Sequence, residues 1–285
     1  MPLVNPKKML EAARDGGYCV GAFNIVDFLS MEAVVAAAEA KRAPVMMQTS
    51  SGVIKKFGVR KLAAMARLAA GDSPVPVALH LDHGTDVKVL SDAIKAGYSS
   101  VMIDASEHPF EKNVAITKGV VEEAHAAGVS VEGEIGRVVG VEDDIVVHQD
   151  EAIYTTPAEA LEFQRRTGVD FLAAAIGTAH GFYKVEPKLN IDTLRKIRAQ
   201  AAFPLVVHGG TGLPFDVIQE LVRAGATKMN LSTQIKKTYI DGLYDYIAAK
   251  RTEYDIIKVL AHAKAELATM ISGYIEVLGG AGKAG

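Results

Sequence analysis

At 285 residues, with 49 % hydrophobic and 23 % charged side chains, the chain has the balance of a globular protein, long enough for one large α/β barrel or two average domains. A net charge of −3, with no basic stripe or acidic tail, gives no footing for nucleic acid or an anionic membrane surface, and a single cysteine, Cys19, excludes an internal disulfide framework and a cysteine-rich zinc site. The opening residues lack the apolar core of a signal peptide and no apolar run approaches the roughly 20 residues that span a bilayer, so a cytoplasmic location is expected.

Short apolar or β-branched runs alternate with Ala-rich amphipathic stretches along the whole chain. The pattern predicts strands at 18–23, 44–49, 76–81, 100–103, 130–135, 171–176, 205–207 and 228–231. Between them it predicts helices at 30–41, 60–70, 86–96, 111–127, 157–167, 191–199 and 214–224, with further helices at 6–15, 235–250 and 261–278. Gly97, Gly128, Gly168 and Gly225 stand where helices end, and Pro157 and Pro214 where helices begin. About eight βα units without a composition break match a single (β/α)8 TIM barrel spanning residues 1–285, with additional terminal helices. A doubly wound nucleotide fold would need a Gly-rich turn after the first strand, and Asn24-Ile25-Val26-Asp27 is not one. The segments 136–156 and 184–190 are long and polar, which suits lids or binding loops. The glycine-rich end, 279–285, is expected to be flexible.

The active face of such a barrel is the C-terminal end of its strands, and the unusual polar residues cluster there. The third strand runs into His80, Asp82 and His83, the fourth into Asp104, and the fifth carries Glu132 and Glu134. Gly177-Thr178-Ala179-His180-Gly181 follows the sixth, and His208-Gly209-Gly210-Thr211-Gly212 the seventh. The eighth contributes Asn230, Ser232 and Thr233. Histidines converging from three strand ends, with carboxylates nearby, are the donor type of a catalytic zinc site, or else hydrogen-bonded groups of a polar mouth. His108, His125, His148 and His262 read as structural or solvated. The Gly209–Gly212 turn exposes successive backbone N–H groups, and Pro214 opens a helix whose N-terminus favours an anion. A metal beside a phosphate grip suits chemistry on a phosphorylated hydroxyketone, where a polarised carbonyl lets a carbon–carbon bond be made or broken.

On His80-Leu81-Asp82-His83-Gly84, Val131-Glu132-Gly133-Glu134-Ile135-Gly136, Ile176-Gly177-Thr178-Ala179-His180-Gly181 and Val207-His208-Gly209-Gly210-Thr211-Gly212, the sequence strongly resembles the class II, zinc-dependent ketose-bisphosphate aldolases. The stretches 100–106 and 140–144 continue the match, which runs through nearly the whole chain. The resemblance implies a zinc ion on His83, His180 and His208, with Asp104 and Glu134 as an alternate or second cation position. It implies a grip on the phosphate of dihydroxyacetone phosphate by Gly181, Gly209, Gly210 and Thr211, completed by Asn230, Leu231, Ser232 and Thr233, with a sodium or potassium ion beside it. Asp82 would be the acid/base on the C4 hydroxyl, and Glu142 the group that moves the proton at C3. The expected substrate is a ketose 1-phosphate or 1,6-bisphosphate of the fructose or tagatose type, and the expected assembly a homodimer or homotetramer. One departure bears on the far end of the substrate. Bisphosphate-cleaving members carry Pro-Arg after the Tyr-Asp pair, whereas this chain reads Tyr254-Asp255-Ile256-Ile257-Lys258, and an apolar residue cannot replace a bidentate guanidinium. Either Lys258 or Lys55-Lys56 grips that phosphate, or the aldehyde half carries something else, as in sulfofructose 1-phosphate or a deoxy-keto-gluconate phosphate. The competing readings are a Schiff-base aldolase, which needs a lysine on an inner strand, a metal-dependent hydrolase, and a non-catalytic sugar-phosphate-binding protein.

Overall fold

A computed structural model of the chain describes residues 3–142, 145–147, 153–183 and 187–285. His148, one of the histidines read as structural, lies outside them. Helix α1 (Lys7–Gly16) precedes the barrel. Then follow β1 (Val20–Asn24), α2 (Phe28–Lys41), β2 (Val45–Ser50), α3 (Ser51–Phe57), α4 (Val59–Ala70), β3 (Val77–Gly84), α5 (Val87–Ala96), β4 (Ser100–Ile103), α6 (Phe110–Ala126) and β5 (Ser130–Ile135). A small insertion, β6 (Val139–Glu142) and β7 (Ile145–Val147), leads to α7 (Pro157–Thr167) and β8 (Phe171–Ala174). The chain continues through β9 (Ala179–His180), α8 (Ile191–Arg198), β10 (Leu205–Val207), α9 (Phe215–Ala224), β11 (Ala226–Leu231), α10 (Thr233–Ala249) and α11 (Ile256–Val277). Eight of the strands, β1-β2-β3-β4-β5-β8-β10-β11, form a closed parallel barrel, its seam made where β1 pairs with β11.

The expected barrel is thus present, with one helix that periodicity did not reveal: α3, a short segment interrupted by Gly52. Several helices start on local chemistry legible in their residues. Thr156 and Glu159 form a capping box around Pro157, and Asp27 with Ser30 does the same for α2. Inward residues alternate along each strand, so the barrel interior is layered. Its lower layers are apolar: Val20, Ala22, Met46, Ala78, Phe171 and Val206 pack on Met9, Leu10 and Ala13 of α1, which closes the N-terminal end. The larger core lies between the outer faces of the strands and the helices. The end 279–285, expected to be flexible, is tied to the end of α2, because the Gly282 N–H donates to the Lys41 carbonyl at 2.8 Å and the Ala284 N–H to that of Arg42 at 2.9 Å. Among the described residues, no helix is long and apolar enough to cross a membrane.

Candidate active site

The upper layers of the barrel are polar, and the third strand shows how they are arranged. Neighbours in a regular strand point to opposite faces. Here the β3–β4 register slips between Leu81 and Gly84, and His83 takes φ 47. That left-handed backbone, uncommon for a residue with a Cβ, lets Asp82 and His83 face the same cleft. Gly84 follows because a Cβ there would stand 2.8 Å from the Met102 carbonyl oxygen.

Asp82 is buried and held by three amide donors: Asn24 Nδ2 at 3.0 Å, Gln48 Nε2 at 3.1 Å and Asn230 Nδ2 at 2.9 Å. Burial opposes its ionisation, but the positive groups around it, His83 first, hold the carboxyl below the usual range. It therefore stands ionised in the cleft.

His83 Nδ1 lies 2.8 Å from Asp104 Oδ2, and His208 Nε2 lies 2.8 Å from Glu132 Oε1. Ionised carboxylates only accept, so these nitrogens carry ring protons, and the opposite nitrogens are the ones a bound metal ion would take. His83 Nε2, His208 Nδ1 and Glu134 Oε2 are buried without a hydrogen bond, and the last two face one another at 3.2 Å. His180, on β9, completes the group, its ring 5.0 Å from that of His83 and 6.0 Å from that of His208. One donor atom from each of these three histidines lies within 4.8 Å of the others, and His83, Asp104 and Glu134 form a second such set. Asp82, Asp104, Glu132 and Glu134 are all buried here beside one buried lysine, Lys228. Such an excess of buried negative charge calls for a cation. Burial works against an imidazolium at His83, yet Asp82, Asp104 and Glu134 raise its pKa well above the ordinary value. Orphaned lone pairs, imidazole donors and uncompensated carboxylates together fit a divalent metal ion. Asp104 also accepts from the backbone N–H and hydroxyl of Ser106, at 3.1 and 2.7 Å, so it orients His83 from behind.

The cleft is lined by Asn24, Asp82, His83 and His180 on one side and by Gly181, Gly209, Thr211, Asn230, Ser232 and Thr233 on the other. The helix whose first residue lines it is α10, beginning at Thr233, and not α9 after Pro214. Gly210 sits behind the wall: its N–H donates to the Asn230 carbonyl at 3.1 Å, and a Cβ there would meet Met229 Cγ at 2.7 Å. Leu231 is likewise in the core with its side chain fully buried. Tyr183 joins the two glycine loops, accepting from the Ala179 N–H at 3.0 Å and donating to the Gly209 carbonyl at 2.7 Å. Glu142 ends β6, which pairs in parallel with β9 so that Gly140 stands opposite His180.

His80 lies below the cleft, its Nδ1 2.8 Å from Ser100 Oγ. His125 binds Asp170 at 2.8 Å near the opposite end of the barrel, His108 lies 3.6 Å from Glu107, and His262 stacks on Tyr246. Among the described residues of the barrel strands the lysine is Lys228, and it does not line the cleft, which removes the group a Schiff-base mechanism needs. Asn24, Gln48 and Lys228 belong to the site although no motif marks them. For Lys228 alone there was a hint in alternation, since it shares a face of β11 with Asn230, as Glu132 does with Glu134 on β5.

Fold and site define a metal-dependent enzyme on a (β/α)8 barrel, with glycine loops and a helix start beside three histidines that could hold a metal ion. The family profile "Fructose-bisphosphate aldolase class-II" matches residues 4–283. A fructose-bisphosphate aldolase of Geobacillus stearothermophilus is 42 % identical over 287 residues, covering 100 % of this chain and 99 % of the relative. A probable fructose-bisphosphate aldolase of Bacillus subtilis is 40 % identical, with 100 % of both chains covered. The YdjI aldolase of Escherichia coli K12 superposes with a TM-score of 0.88 at 28 % identity over 99 % of this chain and 100 % of that one. A putative fructose-1,6-bisphosphate aldolase of Coccidioides immitis gives a TM-score of 0.91 at 26 % identity over 98 % of each chain. The chain belongs to the class II fructose-bisphosphate aldolase family, and it is a metal-dependent lyase.

Proposed function

We propose that this chain reversibly cleaves a ketose 1-phosphate or 1,6-bisphosphate of the fructose or tagatose type between C3 and C4, giving dihydroxyacetone phosphate and an aldehyde such as glyceraldehyde 3-phosphate. The observation that carries the reading is the single cleft in which Asp82, the histidines and the anion cradle meet. His83, His180 and His208 would hold the metal, and imidazole donors with an open position suit zinc, with Asp104 and Glu134 as supporting groups. Bound there, zinc supplies the Lewis acidity that polarises the substrate carbonyl. Gly181, Gly209, Thr211, Ser232 and Thr233 seat the phosphate at the start of α10. Asp82 takes the proton of the C4 hydroxyl as the C3–C4 bond breaks and its electron pair passes to C3, and Glu142 returns a proton to C3. Asn24, Gln48 and Asn230 keep Asp82 aimed and ionised between turnovers.

For a second phosphate the candidates are Lys258 on α11 and Lys55 with Lys56 on α3. Lys55 and Lys56 stand on α3, whose Ser51 hydroxyl donates to the His83 carbonyl at 3.2 Å, and we assign the far phosphate to that helix. The enzyme acts in the cytoplasm as a homodimer or homotetramer. Tyr244 and Tyr254, 69 % and 89 % exposed, with Ile240, Ile256 and Ile257, supply an apolar surface on α10, α11 and the connection between them for a second copy. The deciding experiment compares kcat/KM of the zinc-loaded enzyme for fructose 1,6-bisphosphate, tagatose 1,6-bisphosphate, sulfofructose 1-phosphate and a deoxy-keto-gluconate phosphate. A preference for either of the last two sinks the bisphosphate assignment, and no cleavage of any of the four sinks the aldolase reading.

A further inference from the structure

Lys228 has no exposed surface, stands on the inward face of β11 and has no task in the chemistry above. An ammonium is buried only where its partners replace its lost hydration. Its Nζ lies 2.8 Å from Glu132 Oε2 and 2.7 Å from Asn230 Oδ1. From both partners the contacts run on into the cleft wall. Glu132 Oε1 meets His208 Nε2 at 2.8 Å, and Asn230 Nδ2 donates to Asp82 Oδ1 at 2.9 Å. One buried chain of hydrogen bonds thus joins His208 to Asp82, with Lys228 at its centre.

The direction of every link follows from what each group can do. An ammonium only donates, so Glu132 Oε2 and Asn230 Oδ1 must accept. An amide that accepts through its oxygen turns its NH2 the other way, so Asn230 is committed to donating to Asp82. A carboxylate facing a lysine stays an acceptor, so His208 keeps its proton on Nε2 and offers its lone pair at Nδ1, the atom left without a hydrogen bond. With a neutral side chain at 228, only the Asp82 carboxylate is left to distinguish the two ends of the Asn230 amide. Flipped, its oxygen would oppose the Asp82 carboxylate. Glu132 would meanwhile face His208 and His80 without a counter-charge.

We propose that Lys228 is a positioning residue that sets the donor–acceptor polarity of both arms of the site, fixing the tautomer of His208 and the orientation of the Asn230 amide at Asp82. The proposal rests on the reading of His208 as a metal ligand and Asp82 as the acid/base. Lys228 itself does not line the cleft and acts through Glu132 and Asn230.

The test is Lys228→Met in the full-length enzyme, with zinc affinity measured by competition with a chelating dye, alongside kcat, KM and thermal melting. Zinc affinity falls roughly 10–100-fold, the range for losing a group that orients a ligand. The turnover number falls with it, while KM stays within about threefold because Lys228 does not reach the phosphate cradle. In ¹⁵N-histidine spectra, wild-type His208 carries its proton on Nε2, and the variant shows a mixture of tautomers. A variant that melts earlier but keeps wild-type zinc affinity, kcat and ¹⁵N pattern leaves Lys228 a structural lysine and overturns the proposal. Wild-type His208 protonated at Nδ1 overturns it as well, even if the variant does not fold. The underlying reading fails differently: wild-type enzyme that binds no zinc, or an active Asp82→Ala variant, removes it before Lys228 is in question.

Discussion

Gly209→Ala tests how closely the two glycine loops are held. Gly209 has φ +71, and a Cβ on it would lie 2.3 Å from the Ala179 carbonyl oxygen and 2.8 Å from its carbonyl carbon. Reaching ordinary van der Waals separation requires the two loops to part by about 1 Å. Gly209 follows His208 and Ala179 precedes His180, so the wedge drives two of the three imidazoles apart. A left-handed alanine costs about 1–2 kcal/mol by itself, before any loss from the displaced loops. A misplacement of this size costs on the order of 100-fold in kcat/KM. Zinc affinity should fall at least about tenfold, as when ligand orientation is lost. The control is Gly17→Ala, at φ +64 with nothing within 4 Å of the added methyl, which carries the backbone cost alone. Melting temperature, chelator competition and steady-state kinetics on both variants separate the two effects. If Gly209→Ala loses no more stability than Gly17→Ala and keeps wild-type zinc affinity and kcat/KM, the loops are not in register as described.

Asp82→Ala should lower cleavage by roughly 10²–10⁴-fold while zinc still binds stoichiometrically, checked by turnover and metal analysis on one preparation; near-normal turnover refutes the acid/base role. Tyr183→Phe removes the phenol between the Ala179 N–H and the Gly209 carbonyl, at about 1–3 kcal/mol for groups left unpaired, so KM for the phosphorylated substrate should rise at least about fivefold. An unchanged KM would show that the loops hold without it. His80 is pushed down to about 3, by burial first and then by Lys228, so between there and the ordinary histidine value of about 6.5 the unfolded chain binds the extra proton. That contribution to stability is complete above pH 6.5 and is lost as pH falls towards 3. Melting in excess chelator should therefore decline more steeply from pH 7 to pH 5 in the wild type than in His80→Gln, and parallel slopes would contradict it.

The barrel was legible because its apolar strands are short and bounded by helix caps, and three of them, β4, β5 and β10, begin and end where the residues suggest. Strand β3 runs further than its apolar stretch because His80, Asp82 and His83 are buried polar residues, paired to partners elsewhere in the chain rather than exposed. His83, His180 and His208 were legible as a cluster since each stands at or after the end of a recognisable strand. Asn24, Gln48 and Lys228 were not, because a lone polar residue in an apolar strand acquires meaning only when barrel closure sets its neighbour. The pairing of β6 with β9 was equally hidden, joining segments almost forty residues apart with no local signal.

Barrel closure has a consequence for how the chain reaches its native state. Val20 of the first strand pairs in register with Lys228 of the last, so the residue that neutralises Glu132 also lies on the seam. Before that last strand pairs, Glu132 has no lysine to meet, and burying its charge alone would be costly. Zipping the seam and quenching the interior charge are then one event. A nascent chain that stalls before residue 228 would display a wet, gaping sheet, an easy target for chaperone or protease.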